Sequence, residues 1–513
     1  MILNATDESS AGRAAPADGR ATLDDLFRRM AAARPDALAL VDPPDRASFT
    51  DGAPRSLTWA EANRVVSAIA NLLRSLGLSP GAIVAVQLPN VAEGVLTLLG
   101  VLSAGLIAAP LPLLWRQAEA CAALGRISAR VLVSCRRVGD SDHAELAMHV
   151  AAETFAIRFV CGFGPSLPDG IIPLDEVFDA TLPAPPPALD RAGDPAGRIA
   201  IVTFDVTADG LVPVARSHRE LIAAGEAVAG AAGIAAGASV LGALMTASFA
   251  GIGTAVVPWL LSGGSLWLHQ PFNPAVLATQ RCDVAVLPGP LLPRLVEAEL
   301  IGSTGPMTIV AIWRAPERMG ASPAWPGGDS LVDVPVFGEV GLIALRRAAD
   351  GMPAALPAQS RAPDGAATAA VELVRGAAGT LAMRGAMVPA HPCPPGSARG
   401  DQFNLKTGPD GFVDTGFPCH VDGAAERLVI DGPPAGIVSV GGYRFALRDL
   451  QHLVAPIDAD GSVAALPDVL AGHRLAGVGN DRGAIRDKLA DQGTNPLVVG
   501  AFRDKRPGRA SAA

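Results

Sequence analysis

The chain has 513 residues, half of them hydrophobic, 18% charged and only 4% aromatic, with a formal net charge of -9. That length exceeds one hydrophobic core and points to about two to four domains, while the apolar content excludes a disordered chain. The negative balance and the sparse rings argue against a nucleic-acid binder, which needs cations for phosphates and aromatics for bases.

Six cysteines (Cys121, Cys135, Cys161, Cys282, Cys393, Cys419) are scattered without CxxC or Cys/His spacing, so reduced thiols are expected and not a metal cluster. Residues 1–20 show no basic segment followed by an apolar run. A secretory signal is therefore not expected, and a cytoplasmic location is.

Residues 22–34 place Leu23, Leu26, Phe27, Met30 and Ala31 at helical spacing, and residues 37–41 read as a short strand. After a polar loop, residues 56–61 cap a long amphipathic helix that ends near Gly77. Residues 83–88 are a buried strand broken by Pro89-Asn90; a helix follows to Gly105 and a second strand starts at Ile107. Strand–helix–strand spacing of this kind implies parallel pairing with a right-handed crossover. A further α/β unit covers residues 117–161, a proline-rich linker lies near 183–197, and a new β/α series begins at Arg198. In that series residues 266–269, 283–287 and 308–312 read as strands and 291–300 as a helix. From 340 to 431 strand-like pieces with turn signals dominate, and a small α/β-mixed segment follows from Ile437. Uncharged runs at 94–115 and 227–280 are interrupted by prolines and glycines, so buried core pieces are expected there and no transmembrane segment.

Thr203 to His218 is the stretch around which the rest is arranged. A β-like run (199–202) feeds a small polar loop, and Ser217-His218-Arg219-Glu220 opens a helix with capping-box spacing. Strand, loop and helix start in that order form a common phosphate cradle. Its only glycine, however, is Gly210 and its nearest cation Arg216, so the loop stands where a phosphate loop would without carrying that chemistry.

With these pieces in order, the chain resembles the adenylate-forming superfamily, the AMP-dependent synthetases and ligases that include acyl-CoA synthetases. Ser56-Leu-Thr-Trp-Ala-Glu61 is similar to the family's early helix start, and Val84-Ala-Val-Gln-Leu-Pro-Asn90 to its first buried β/α unit. Pro258-Trp-Leu-Leu-Ser-Gly-Gly-Ser265, Asp410-Gly-Phe-Val-Asp-Thr-Gly416 and Ser439-Val-Gly-Gly-Tyr-Arg-Phe445 resemble three later motifs, the last of which opens the mobile C-terminal domain. The resemblance implies an α/β fold. Its large part, residues 21–431, has two doubly wound α/β layers and a β-rich, barrel-like layer. A small, reduced α+β C-terminal domain follows at 432–502, and residues 1–20 and 503–513 are expected to be disordered tails. It also implies activation of a carboxylic acid with ATP and Mg, and transfer to coenzyme A or a carrier thiol.

Against that pattern several positions depart. With Ser217-His218 as anchor, the family's phosphate-loop glycines fall on Val206 and Asp209 and its lysine on Val212. The ribose-holding aspartate becomes Phe417, the hinge arginine Pro433, and Lys505 is the one stand-in for the C-terminal adenylation lysine. Phe337-Gly-Glu-Val-Gly341 is a shortened form of the motif whose glutamate attends Mg, which makes Glu339 the expected metal and nucleotide contact. Thr207, Arg216, His218 and Thr415 are the other nucleotide candidates, and Asp431, Gly441 and Gly442 the candidate hinge. Each has a structural alternative: a turn hydroxyl for Thr207, a surface arginine for Arg216, a cap neighbour for His218, a turn for Thr415 and Gly416. Asp205 and Asp209 read either as Mg ligands or as turn caps. Cys419 and His420 face opposite ways on a strand, so they are not expected to pair as nucleophile and base. Trp259, Trp267 and Phe272 are expected in the core.

Two functions follow. One is an AMP-forming acid–thiol ligase acting on an apolar acid. The other is a catalytically lapsed relative that binds an acid, an acyl-CoA or a partner protein; a homo-oligomer or a partner protein is open in either case.

Overall fold

The computed structural model describes residues 19–179, 193–270, 280, 282–297, 307–326, 330–357, 371–390, 405–423 and 427–503. Phe272, Cys393, Lys505, most of the expected linker and nearly all of both expected tails lie outside them.

Two largely parallel sheets make the large part. The first has seven strands in the order Gly210–Ser217, Ile199–Thr207, Ile107–Pro110, Ile83–Val86, Val131–Cys135, Phe159–Phe163, Ile171–Pro173. Its central strands are continuous apolar runs, buried at every residue in Ile83–Val86, Ile107–Pro110 and Val131–Cys135, as a sheet covered on both faces requires. The second sheet runs Gly341–Leu342, Ser330–Phe337, Thr308–Trp313, Val284–Pro288, Val240–Gly242, Leu266–Leu268, Leu38–Val41, Ser56–Thr58, with Leu345–Arg346 added beside Ser330–Phe337. It is parallel except at its edges.

Helices fill the space between the sheets. Trp59–Ser75 starts at a capping box: the Thr58 N–H donates to Glu61 Oε2 (2.8 Å) and the Glu61 N–H to Thr58 Oγ1 (3.3 Å). Ala92–Ser103 is buried all round and packs against it so closely that a Cβ on Gly100 would lie 2.6 Å from Ile69 Cγ2. Phe27, Trp59 and Trp259 form one aromatic cluster, with the two indoles stacked at 4.9 Å. Within the uncharged run, the described residues 227–270 hold the end of the helix His218–Ala232, short helical segments over 249–262 and the strands Val240–Gly242 and Leu266–Leu268. Among the described residues no helix is long and apolar enough to cross a membrane.

The β-rich layer is a five-stranded antiparallel sheet, ordered Leu356–Pro357, Arg427–Ile430, Val413–Asp422, Thr380–Arg384, Glu372–Arg375. On it Cys419 is buried while His420 is exposed and bonds Asp431 (Nδ1 to Oδ1, 2.6 Å). The small C-terminal domain has a four-stranded sheet, Tyr443–Ala446, Ile437–Val440, Gly472–Val478, Ser462–Asp468, and a core of its own around Val438, Leu450, Leu489 and Phe502. It docks on the large part at several places, among them Arg318, which donates to the Val469 carbonyl. The Asn495 N–H donates to Glu119 Oε1 (3.0 Å), and Arg444 reaches the Asp205 carboxylate.

Candidate functional site

The stretch expected to be a strand, a polar loop and a helix start is a long β-hairpin. Ile199–Thr207 and Gly210–Ser217 pair in register from Thr203↔Val214 to Thr207↔Gly210, leaving Ala208 and Asp209 as the tip. Val206, Leu211, Val212 and Val214 favour extended backbone, and Gly210 takes the left-handed conformation (φ 107°) that ends the turn. The helix start is as expected: the Ser217 N–H donates to Glu220 Oε2 (2.7 Å) and the Glu220 N–H to Ser217 Oγ (3.3 Å). A ladder directs its N–H groups alternately to opposite edges, so they do not converge on one anion as successive amides of a glycine-rich nest do. Val212 is buried, and the exposed tip carboxylate of Asp209 is met by Lys406 Nζ (2.9 Å).

A cavity of about 480 Å³ opens beside this hairpin, at the junction of the large part and the small domain. Its floor is built where the parallel strands of the second sheet end: Ala243–Met245 after Val240–Gly242, Pro290 and Leu291 after Val284–Pro288, Arg314 and Ala315 after Thr308–Trp313, Gly338 and Glu339 after Ser330–Phe337. Ligands of open α/β sheets sit at such carboxyl ends. Trp115 and Phe204, with ring centroids 5.5 Å apart, close one side, and Ser439, Gly441–Arg444, Leu470 and Ala471 of the small domain roof it. Gly441 and Gly442 (φ 57° and 90°) form the two-residue tip of the Ile437–Ala446 hairpin, the conformation that glycine pairs favour there.

Two carboxylates and three guanidinium groups line it: Asp205, Glu339, Arg314, Arg318 and Arg444. Glu339 is buried; its Oε2 accepts the Phe249 N–H (2.8 Å) and its Oε1 faces Arg314 Nη2 at 3.5 Å. Burial pushes its carboxyl above the usual range, and the positive charges of Arg314 and then Arg216 pull it partly back. Asp205 accepts the Glu339 N–H on Oδ2 (2.8 Å), the Val206 N–H on Oδ1 (2.8 Å), and Arg444 on Oδ1. The fork is tight at Gly338, whose φ is 58° and where a Cβ would meet Asp205 Oδ2 at 2.2 Å.

The candidate residues are not gathered here. Glu339, Gly441 and Gly442 line the cavity; Thr207, Arg216, His218, Thr415 and Asp431 are not among its lining residues. The Thr207 hydroxyl donates to Gly210 O (3.2 Å) and accepts the Asp209 N–H (3.2 Å) within its own turn. Arg216 is buried, where a surface arginine was the alternative: it donates to the carbonyls of Glu339 and Val340 (3.1 Å to the latter) and lies 3.8 Å over the Phe249 ring. Burial lowers its guanidinium to about 10. His218 Nδ1 accepts the Leu23 N–H (3.1 Å) at the start of the first helix, and Thr415 Oγ1 donates to Leu381 O (2.7 Å). Phe417 packs edge-on to Phe337 at 5.5 Å. Arg314, Arg318 and Arg444 carry no local signal in the sequence, because their partners come from segments far away along the chain.

Comparison with known proteins agrees with this architecture. The AMP-binding enzyme family matches residues 27–191. A probable non-canonical nonribosomal peptide synthetase, CymA, of Salinispora arenicola is 28% identical over 204 residues, 40% of this chain and 2% of that protein. The human long-chain fatty acid transport protein 1 is 31% identical over 162 residues, 31% of this chain and 23% of that protein. The chain thus matches well under two thirds of the length of these relatives. The amide bond synthetase McbA of Marinactinospora thermotolerans superposes with a TM-score of 0.69 at 20% identity, covering 92% of this chain and 94% of that one. Residues 27–191 thus match the AMP-binding enzyme family, and the fold that McbA has extends over 92% of the chain.

Proposed function

We propose that this chain is a member of the adenylate-forming superfamily that holds an apolar carboxylic acid, or its acyl derivative, in the junction cavity, and does not adenylate it through the family's phosphate loop. The observation that carries this reading is the closed hairpin at 203–217. It has Val212 at the lysine position, and Asp205 is tied to Arg444 at the cavity wall. A polyphosphate leaving group needs converging donors and cations where its charge develops, and the hairpin offers neither. The cavity suits an acid: Trp115, Phe204, Leu244, Met245 and Ile312 give it apolar walls, and Arg314 and Arg318 give a carboxylate its partners.

A second reading, the AMP-forming acid–thiol ligase with coenzyme A or a carrier thiol as acceptor, is favoured by the guanidinium groups of Arg314 and Arg318 on the cavity, donors of the kind that hold phosphate oxygens. Magnesium fits this site poorly. Each oxygen of Glu339 and Asp205 already faces an N–H or guanidinium donor, and among the described residues no three His, Cys, Asp or Glu side chains gather to hold a metal.

Titration calorimetry with ATP and Mg, with and without a pool of medium-chain acids, separates the two. Heat from the acids alone, with no ATP heat and no pyrophosphate release, supports the acid-binding reading. Micromolar ATP binding with pyrophosphate release in the presence of an acid overturns it in favour of the ligase.

A further inference from the structure

We propose that Arg314 stands in for a divalent cation beside Glu339, so that the cavity takes the carboxylate of an apolar ligand without metal. This rests on the acid-binding reading above, and its test is arranged so that the two fail separately.

Arg314 follows directly on the strand Thr308–Trp313 and lines the cavity between Glu339 and the roof. Its Nη2 is 3.5 Å from Glu339 Oε1, the carboxylate oxygen left open by the Phe249 N–H. The roof fixes its path: a Cβ on Gly442 would lie 3.1 Å from Arg314 Cδ, so the glycine tip and the arginine stem occupy adjoining space. A hard divalent cation needs carboxylate oxygens at about 2.0–2.6 Å, and the guanidinium takes that approach to Glu339 while supplying a positive charge of its own.

The charge count points to the ligand. Among the residues lining the cavity, Arg314, Arg318 and Arg444 stand against Asp205 and Glu339, three positive groups against two negative, which leaves one positive charge for a monoanion. The Arg444 charge is taken by Asp205, so the surplus lies at Arg314 and Arg318. A guanidinium has five N–H donors in a planar fork, so Arg314 can face Glu339 and still engage a carboxylate. A metal-free carboxylate between these two arginines, its chain against Trp115 and Phe204, satisfies both the charge and the apolar walls.

The test uses the full chain, with Mn²⁺ as the metal probe and decanoate as the acid. Mn²⁺ binding to the ligand-free protein is followed by the loss of its free EPR signal, and decanoate binding by calorimetry with excess EDTA or with millimolar Mg²⁺. The wild type is expected to leave the Mn²⁺ signal intact and to bind decanoate equally, within about twofold, in both buffers. Arg314→Gln is expected to weaken decanoate about tenfold, the loss of one good charge-assisted pair. It also uncovers Glu339 Oε1, and because a single carboxylate holds Mn²⁺ weakly, the gain is read at millimolar Mn²⁺ and is one that Glu339→Gln in the same background removes. Arg314→Lys keeps the charge, keeps Mn²⁺ out, and controls for folding. Mn²⁺ binding by the wild type that Glu339→Gln abolishes, or an Arg314→Gln variant that binds decanoate as the wild type does, overturns the proposal. If decanoate binds no form of the protein, the acid reading falls, and the Mn²⁺ arm alone decides whether Arg314 holds the metal's place.

Discussion

Asp205, on the long hairpin of the large part, accepts a hydrogen bond from Arg444 of the small domain, and both side chains are largely buried, 5% and 13% exposed. The same carboxylate accepts the Glu339 N–H, so one residue holds the cavity wall and its roof together. Removing one partner of a buried pair strands the other charge and costs on the order of 3–5 kcal/mol. Because this pair crosses the junction, the loss is expected to appear first as release of the small domain. In Arg444→Met, subtilisin should cut near residues 431–437 markedly faster than in the wild type, and Asp205→Asn added to it should make little further difference. Unchanged cleavage in Arg444→Met rejects the role of the pair as a clasp.

Gly338 is where this arrangement tolerates least. Its φ of 58° disfavours any side chain, and a Cβ would lie 2.2 Å from Asp205 Oδ2 and 2.6 Å from Arg444 Nη1. Gly441 is the control: its φ is 57°, yet nothing lies within 4 Å of a Cβ there. Gly441→Ala is therefore expected to cost only the left-handed penalty, about 1–2 kcal/mol, and Gly338→Ala clearly more, with the same proteolytic opening as Arg444→Met. Equal melting temperatures for the two variants contradict this account.

The parts of the fold that are legible in the sequence are those whose neighbours are local. Ile83–Val86 and Ile107–Pro110 are unbroken apolar runs, and Thr58 and Glu61 or Ser217 and Glu220 cap their helices through partners three residues apart. The hairpin is misread because Thr207-Ala-Asp-Gly210 has the composition of a loop, while the pairing of Val206 with Leu211 across it outweighs that polarity. Arg216 is illegible for a different reason. Its burial depends on the carbonyls of Glu339 and Val340 and the ring of Phe249, none of which is near it in the chain. The same holds for Arg314 and Arg444: a lone arginine has no periodicity, and only the folded chain brings it to a carboxylate.

Away from the cavity, Asp333 lies on the strand Ser330–Phe337 of the second sheet. It accepts Arg347 Nε (2.7 Å) and Trp313 Nε1 (2.8 Å), and Asp333 and Arg347 are 0% and 2% exposed. Asp333→Ala removes the carboxylate that neutralises a buried guanidinium, which keeps only its neutral acceptors Ser322 Oγ, Pro323 O and Gly351 O, and leaves the indole N–H without its acceptor, with an expected loss of about 3–5 kcal/mol in denaturant unfolding. Asp333→Leu combined with Arg347→Met should recover part of that loss, since an apolar pair of similar volume removes the stranded charge. A loss under about 1 kcal/mol in the alanine variant would show that water reaches the site.

His143 gives the chain a defined response to acid. It is fully buried at the start of the helix His143–Glu153, and neither ring nitrogen has a partner among the described residues. Burial, and then the positive charge of Arg116, push its imidazole from 6.5 down to about 3. The unfolded chain therefore binds a proton that the folded chain does not over the whole interval between these values. Its contribution to stability is complete above about pH 6.5 and is lost as the pH falls towards 3, at up to about 1.4 kcal/mol per pH unit. Carboxylates titrate in the lower half of that range, so the comparison is between the wild type and His143→Asn, with unfolding free energy measured from pH 7 to pH 4.5. The variant should lose less stability across the interval by about the histidine's share. Parallel curves would mean that the folded protein accepts a proton at His143 as readily as the unfolded chain does, which requires an acceptor beside the ring that a buried, unpaired imidazole does not have.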